Sequence, residues 1–203
     1  MIQITNSFFK DPYSVRNKAI SLLESDSYTA DNWPGKRALV PDNITSQLLS
    51  KVESITNEKL EVIQSTFQVV DQSFMEGIVH CDTHAKYTCV IFLNFEAPSN
   101  TGTEIYSDRF GNIMDGRGYI MDDYEDNKRK FYQSNRTSVD KFIFNRILNK
   151  VNPLFKDPCV VPNKFNRGVI FDSLLVHRAQ NFFGKNISDS RFTLASFLKE
   201  SMI

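Results

Sequence analysis

The chain has 203 residues, 41% of them hydrophobic, and its 24 basic residues are matched by 24 acidic ones. Such a length and composition predict one globular domain with a sizeable core and exclude an intrinsically disordered chain. Zero net charge supplies no global field toward nucleic acid or an anionic membrane surface, and no stretch approaches the length of a membrane span.

From the N-terminus, Met1 to Lys10 lacks the positive flank and apolar run of an export signal, so a cytoplasmic protein is expected. Asp11-Pro12 opens a helix, with Asp11 as its cap, and Val15, Ala19, Leu22 and Leu23 carry the helical spacing to about residue 25. Residues 31–37 read as a loop, because Pro34-Gly35 demands a turn; the only tryptophan, Trp33, lies here. Asp42 is expected to cap a second helix with the stripe Ile44, Leu48, Leu49, Val52 and Ile55.

Beyond residue 60 the period falls toward two and the residues become β-branched and aromatic. Strands are predicted near 61–71, 77–82, 87–95, 103–107, 158–162, 167–172, 175–182 and 191–199. Two helices followed by short strands predict a mainly β fold, a two-sheet jelly roll. Its helical part would span 1–60 and its core 61–203, within a single domain. Residues 108–156 break the pattern, with a charged run at Met121 to Lys130 and then helical spacing at Val139, Phe142, Ile147, Leu148 and Val151. This is an insertion between strands: a lid or substrate wall, or else a solvated helix packed on the outside. Cys81, Cys89 and Cys159 sit in apolar or strand-like surroundings and read as reduced thiols.

The chemistry is concentrated at Gly77-Ile78-Val79-His80-Cys81-Asp82. In an extended strand residues i and i+2 share a face, so His80 and Asp82 offer a nitrogen and an oxygen ligand side by side while Cys81 points away. Two histidines and one carboxylate are the ligand set of non-haem Fe(II) oxygenases. The third ligand must then come from His84 or His177, the two remaining histidines. In the alternating strand Arg191-Phe192-Thr193-Leu194-Ala195, the inward set is either Arg191, Thr193 and Ala195 or the complementary residues. An inward arginine needs a carboxylate, which a dicarboxylate cosubstrate would supply.

The order His80-x-Asp82, Tyr87 to Asn94, Gly102-Thr103-Glu104, Arg167 to Phe171, His177 and Arg191-x-Thr193 resembles the Fe(II)/2-oxoglutarate-dependent oxygenases, nearest their prolyl-hydroxylase-like branch. The resemblance implies a double-stranded β-helix. It implies His80, Asp82 and His177 as Fe(II) ligands, with Arg191 and Thr193 holding the far carboxylate of 2-oxoglutarate. Dioxygen would be consumed and succinate and carbon dioxide released, as a peptide, protein side chain or small metabolite is hydroxylated. Thr103 stands where relatives commonly have a second glycine, and Phe92 where they often have a tyrosine that touches the cosubstrate. Tyr87 or Gln68 is then the candidate to replace that hydroxyl. Two other classes stay open: a cupin-like metal-binding jelly roll that does not use 2-oxoglutarate, and a non-catalytic binding module.

Overall fold

The period-two segments become two facing antiparallel sheets. The structure, a computed structural model, describes residues 1–30, 33–109, 124–133 and 136–201. Its strands are β1 (Ile2–Thr5), β2 (Tyr28–Ala30), β3 (Trp33–Leu39), β4 (Leu60–Val70), β5 (Tyr87–Phe92), β6 (Thr103–Arg109), β7 (Cys159–Val161), β8 (Gly168–Asp172), β9 (Leu175–Ala179) and β10 (Arg191–Glu200). The helices are α1 (Pro12–Ser25), α2 (Asp42–Thr56), α3 (Tyr124–Tyr132) and α4 (Ser138–Val151). The larger sheet has the order β1-β8-β5-β10-β4-β3-β2 and the smaller β7-β6-β9. This is the expected jelly roll, with helices in the N-terminal part and a partly helical insertion.

The layers follow from which faces are apolar. Val15, Ala19 and Leu23 of α1 and Ile44, Leu48 and Val52 of α2 pack with Phe67, Cys89, Ile91, Phe192 and Leu194 on the outer face of the large sheet. Between the sheets lie Phe92, Ile105, Val161, Val169, Phe171 and Leu175. A third cluster joins the insertion to the small sheet: Phe131 stacks on Phe144 at 4.1 Å, and Leu148, Val151, Tyr106 and Val176 pack with them. Asp11 caps α1 by accepting from the Ser14 N–H at 3.1 Å. Asp42 is instead the first residue of α2, preceded by Pro41, where its charge faces the helix's positive end.

Two expectations are corrected. From Trp33 onward the segment read as a loop is strand β3, so the first 60 residues carry strands as well as helices; residues 31–32 lie outside the described residues. Pro34-Gly35 deforms the strand without ending it. Pairing with β4 starts only at Lys36, pairing with β2 slips register between Thr29 and Ala30, and Gly35 takes φ +77°. A Cβ at Gly35 would lie 2.0 Å from the Val69 carbonyl oxygen, so only glycine fits there.

The strand expected over 77–82 is not a continuous ladder either. It touches the small sheet through isolated bridges, Glu76 to Asn181 and His80 to His177. In between, the Asn152 side chain takes over the pairing, accepting from Val79 N–H and donating to Gly77 C=O, each at 3.1 Å. Residues 110–123, including part of the charged run, lie outside the described residues. Among the described residues no helix is long and apolar enough to cross a membrane. Cys81, Cys89 and Cys159 are all free thiols.

Candidate metal centre

His80 and His177 are opposite one another across an antiparallel bridge, each N–H donating to the other's carbonyl at 2.9 Å. Their rings meet at a centroid distance of 4.3 Å. Two residues on, the Asp82 N–H donates to Ser173 C=O at 2.9 Å, which fixes the carboxylate beside both rings. His177 Nε2 is 3.2 Å and His80 Nε2 3.8 Å from the nearer Asp82 oxygens, and one ligand atom from each residue falls within 4.8 Å of the others.

The tautomers follow from the partners. His80 Nδ1 lies 2.9 Å from Ile78 C=O and His177 Nδ1 2.9 Å from Leu175 C=O, and a carbonyl only accepts. Each Nδ1 therefore carries a proton, which leaves each Nε2 as the nitrogen that a metal beside Asp82 would use. Desolvation, reinforced by His177, pushes His80 down to about 4, so its ring is neutral at physiological pH, as a metal ligand must be. Burial works to raise the Asp82 carboxyl, but the two histidines and the Thr88 hydroxyl outweigh it and hold the group below the ordinary carboxylate range. Thr88 Oγ1 donates to Asp82 Oδ2 at 2.7 Å and meets Ser173 Oγ at 2.9 Å. Two imidazoles anchored through Nδ1, one carboxylate and buried outer partners suit a divalent transition metal.

Strand alternation builds the wall beside this cluster. Arg191, Thr193, Ala195 and Phe197, at every second position of β10, line one pocket with His80, Asp82 and His177. Arg191 is 4% exposed. Its Nε donates to Thr101 C=O at 3.2 Å and its Nη2 to Thr103 Oγ1 at 3.3 Å. The ring of Phe92 lies 5.6 Å from its Cζ. Burial lowers Arg191 to about 10, still fully charged at neutral pH, and among the described residues no carboxylate pairs with it. Thr103, the residue in place of a glycine, is therefore one of its partners.

Gln68 lines the pocket and donates to Pro34 C=O at 3.0 Å. Tyr87 does not reach it. Thr88 and Val90 of β5 face the pocket, so Tyr87 falls on the opposite face, where its hydroxyl donates to Glu58 Oε1 at 2.9 Å. His84 is exposed and packs against Phe197 at 4.9 Å, outside the ligand cluster. Arg178 turns away from the site to Glu76 and Glu104.

From the sequence, the 31–37 segment and the insertion are expected at the mouth of the site, but no role follows for the side chains they contribute. Trp33 and Arg37 of β3 line the pocket, Trp33 meeting the His80 ring edge-on at 5.8 Å. Lys128 and Tyr132 bring α3 to the pocket, making the insertion a wall. Alternation on β5 separates Thr88 from Tyr87 without saying which of them meets the pocket; for Asn152, whose partners lie more than 70 residues away, no local signal exists.

Fold and site together define a class: a double-stranded β-helix with a two-histidine, one-carboxylate cluster between its sheets. Among solved structures the chain is similar to the non-haem α-ketoglutarate-dependent epimerase SnoN from nogalamycin biosynthesis, with a TM-score of 0.60, 7% identity, and coverage of 98% of this chain and 76% of that one. It is similar to a prolyl hydroxylase from Trichoplax adhaerens in complex with a hypoxia inducible factor peptide fragment, with a TM-score of 0.60, 12% identity, and 98% and 83% coverage. A third is HygX from Streptomyces hygroscopicus with nickel and 2-oxoglutarate bound, with a TM-score of 0.58, 12% identity, and 100% and 84% coverage. The TM-scores show a shared fold, and at identities this low the likeness extends to the fold alone. No curated protein matches the chain. Over residues 1–198 it matches, and belongs to, the family described as "Family of unknown function (DUF6445)".

Proposed function

We propose that the chain is an Fe(II)- and 2-oxoglutarate-dependent dioxygenase of the prolyl-hydroxylase-like branch. It hydroxylates a peptide, protein side chain or small metabolite in the cytoplasm, a compartment that suits its three free thiols. The observation that carries this reading is the adjacency of two features. Two Nε2-directed histidines converge with Asp82, and beside them lies a buried arginine whose charge lacks a counter-ion among the described residues.

His80, Asp82 and His177 would hold the iron, which in such sites leaves positions for the 2-oxoglutarate chelate and for dioxygen and supplies the oxidising power. The protein's own residues do the rest. Arg191, fixed by Thr101 and Thr103, presents its remaining donors to the far carboxylate and sets the cosubstrate's rotation. Thr193, two residues along the same face, adds a hydroxyl to that carboxylate. Thr88 keeps Asp82 ionised and oriented. Val90, Ala195 and Phe182 exclude water. Phe92, under Arg191, supplies no hydroxyl, and Gln68 is the pocket's polar alternative.

The test is anaerobic titration of the Fe(II)-loaded protein with 2-oxoglutarate, following the visible charge-transfer band of chelated iron. The wild type should give the band, His177→Ala should lose it, and Arg191→Met should move it to at least tenfold higher 2-oxoglutarate, as expected for losing charge-assisted hydrogen bonds. No band from the wild type at saturating iron and cosubstrate would refute the reading.

A further inference from the structure

The pocket contains a second buried guanidinium that the reaction outlined above does not use. Arg37 is 2% exposed, and one of its terminal nitrogens, Nη1, donates to Thr66 Oγ1 at 2.8 Å. Among the described residues its Nε and Nη2 have no hydrogen-bond partner. Leaving donors of a charged group buried and unpaired is costly, and a fold that keeps them so beside an open pocket has kept them for a ligand. Neighbouring acids do not fill the role. Asp82 and Tyr28 act on Arg37 only at longer range, and the Asp82 oxygens are committed to His80, His177 and Thr88.

The identity of the two idle nitrogens specifies the ligand. Nε–H and Nη2–H lie on the same edge of the guanidinium plane and point in parallel, the side-on fork that matches the two oxygens of a carboxylate. A phosphate can also set two oxygens on this fork, but its remaining oxygens would need further donors, and the pocket wall next to Arg37 is formed by Trp33 and Pro34. Charge counting at the metal is consistent with this: a divalent metal and Arg191 would bring three positive charges, and Asp82 with 2-oxoglutarate three negative ones, so these groups balance without the charge of Arg37; Lys128 also lines the pocket.

Position assigns that charge to the substrate. Cross-strand pairing places Arg37, Gln68, Thr193 and Phe92 in one row across β3, β4, β10 and β5. Arg37 is thus two strands, about 10 Å of sheet, from the Thr193 and Arg191 strand. Trp33 bridges the gap on the other side, its ring 4.6 Å from the Arg37 Cζ and 5.8 Å from the His80 ring. A molecule held by Arg37 would lie along the indole with its far end toward the metal ligands.

We propose that the substrate carries a carboxylate, and that Arg37 grips it side-on with Trp33 as the wall guiding the reacting carbon toward His80. The inference rests on the dioxygenase reading and narrows its substrate class to organic acids or acidic side chains.

Because Trp33 is the only tryptophan, its fluorescence reports on this corner alone. Anaerobic protein loaded with Fe(II) and saturating 2-oxoglutarate, so that Arg191 is occupied, is titrated with benzoate, benzamide and inorganic phosphate. Benzoate should change Trp33 emission saturably without bleaching the charge-transfer band, while benzamide, of the same shape but uncharged, and phosphate should not. Arg37→Met should weaken benzoate binding about tenfold or more, and Arg37→Lys, which keeps the charge and loses the fork, by an intermediate factor.

The inference is overturned by equal responses to benzamide or phosphate, by a benzoate response that Arg37→Met leaves intact, or by benzoate displacing 2-oxoglutarate. The wild-type comparison decides even if a variant misfolds. An absent charge-transfer band removes the underlying reading, whereas a normal band with no benzoate response removes only this inference. N-acetylglycine and a blocked peptide with one glutamate then separate the sources: binding of either supports the carboxylate assignment and says whether a free acid or a side chain is preferred, and binding of neither counts against it.

Discussion

At the level of single residues, the candidate metal cluster depends on one hydroxyl beyond its three proposed ligands. Thr88 Oγ1 is buried, donates to Asp82 Oδ2 and is itself met by Ser173. Thr88→Val keeps the shape and removes the donor, so the carboxylate loses its orientation. Metal affinity should fall roughly 10- to 100-fold, the usual cost of losing an outer partner. Equilibrium titration with Mn(II) measures this, and an unchanged affinity would show Asp82 to be held by the histidines alone. Parity explains what could be read at this scale. His80 and Asp82 share a face because they are two apart, and that much needs only a strand-like backbone. Applied to β5, the same rule places Tyr87 on the face away from Thr88, but choosing which face meets the pocket requires the sheet to exist. The 31–37 segment is expected at the mouth, but Pro34-Gly35 makes it read as a turn, so the parity that points Arg37 inward from strand β3 could not be applied.

Among the elements, a weakly paired one carries two of the three candidate ligands. The segment 76–82 has isolated bridges in place of a ladder, and Asn152, just past the end of α4, holds its backbone at Gly77 and Val79. Asn152→Ala would leave a buried N–H and a buried C=O unpaired, at a cost of about 2–4 kcal/mol. Urea unfolding of the metal-free protein should register that loss, and metal affinity should fall with it, since His80 follows directly. A variant with full stability but weakened metal binding, or the reverse, would separate the two roles assigned to this side chain. The helices and the long strands were legible from period and composition alone, α1 and β10 nearly to the residue. The 77–82 segment was not, because its regularity comes from a side chain distant in sequence.

For the whole molecule, four layers were readable in outline: two helices, a large sheet, a small sheet and the helical insertion. What the pattern could not supply was the strand order, which arises from long-range pairing. The last strand, β10, lies between β4 and β5 in the middle of the large sheet, with ten registered pairs to β4 and six to β5. A chain ending at Asp189 would lack that strand and leave two unpaired inner edges facing each other. Such a truncation should show no cooperative thermal unfolding and no metal binding, and should aggregate. Circular dichroism and light scattering would test this; a folded, metal-binding truncation would contradict the central role given to β10.

That central seat also sets a clock. During synthesis β4 and β5 leave the ribosome about a hundred residues before β10 and wait as sticky borders with an empty lane between them. His177 and Arg191 are made late as well, so a half-built chain lacks one of the three candidate metal ligands and the arginine of the pocket. Metal uptake would then act as a latch on finished molecules, adding its binding energy only once the last lane is filled.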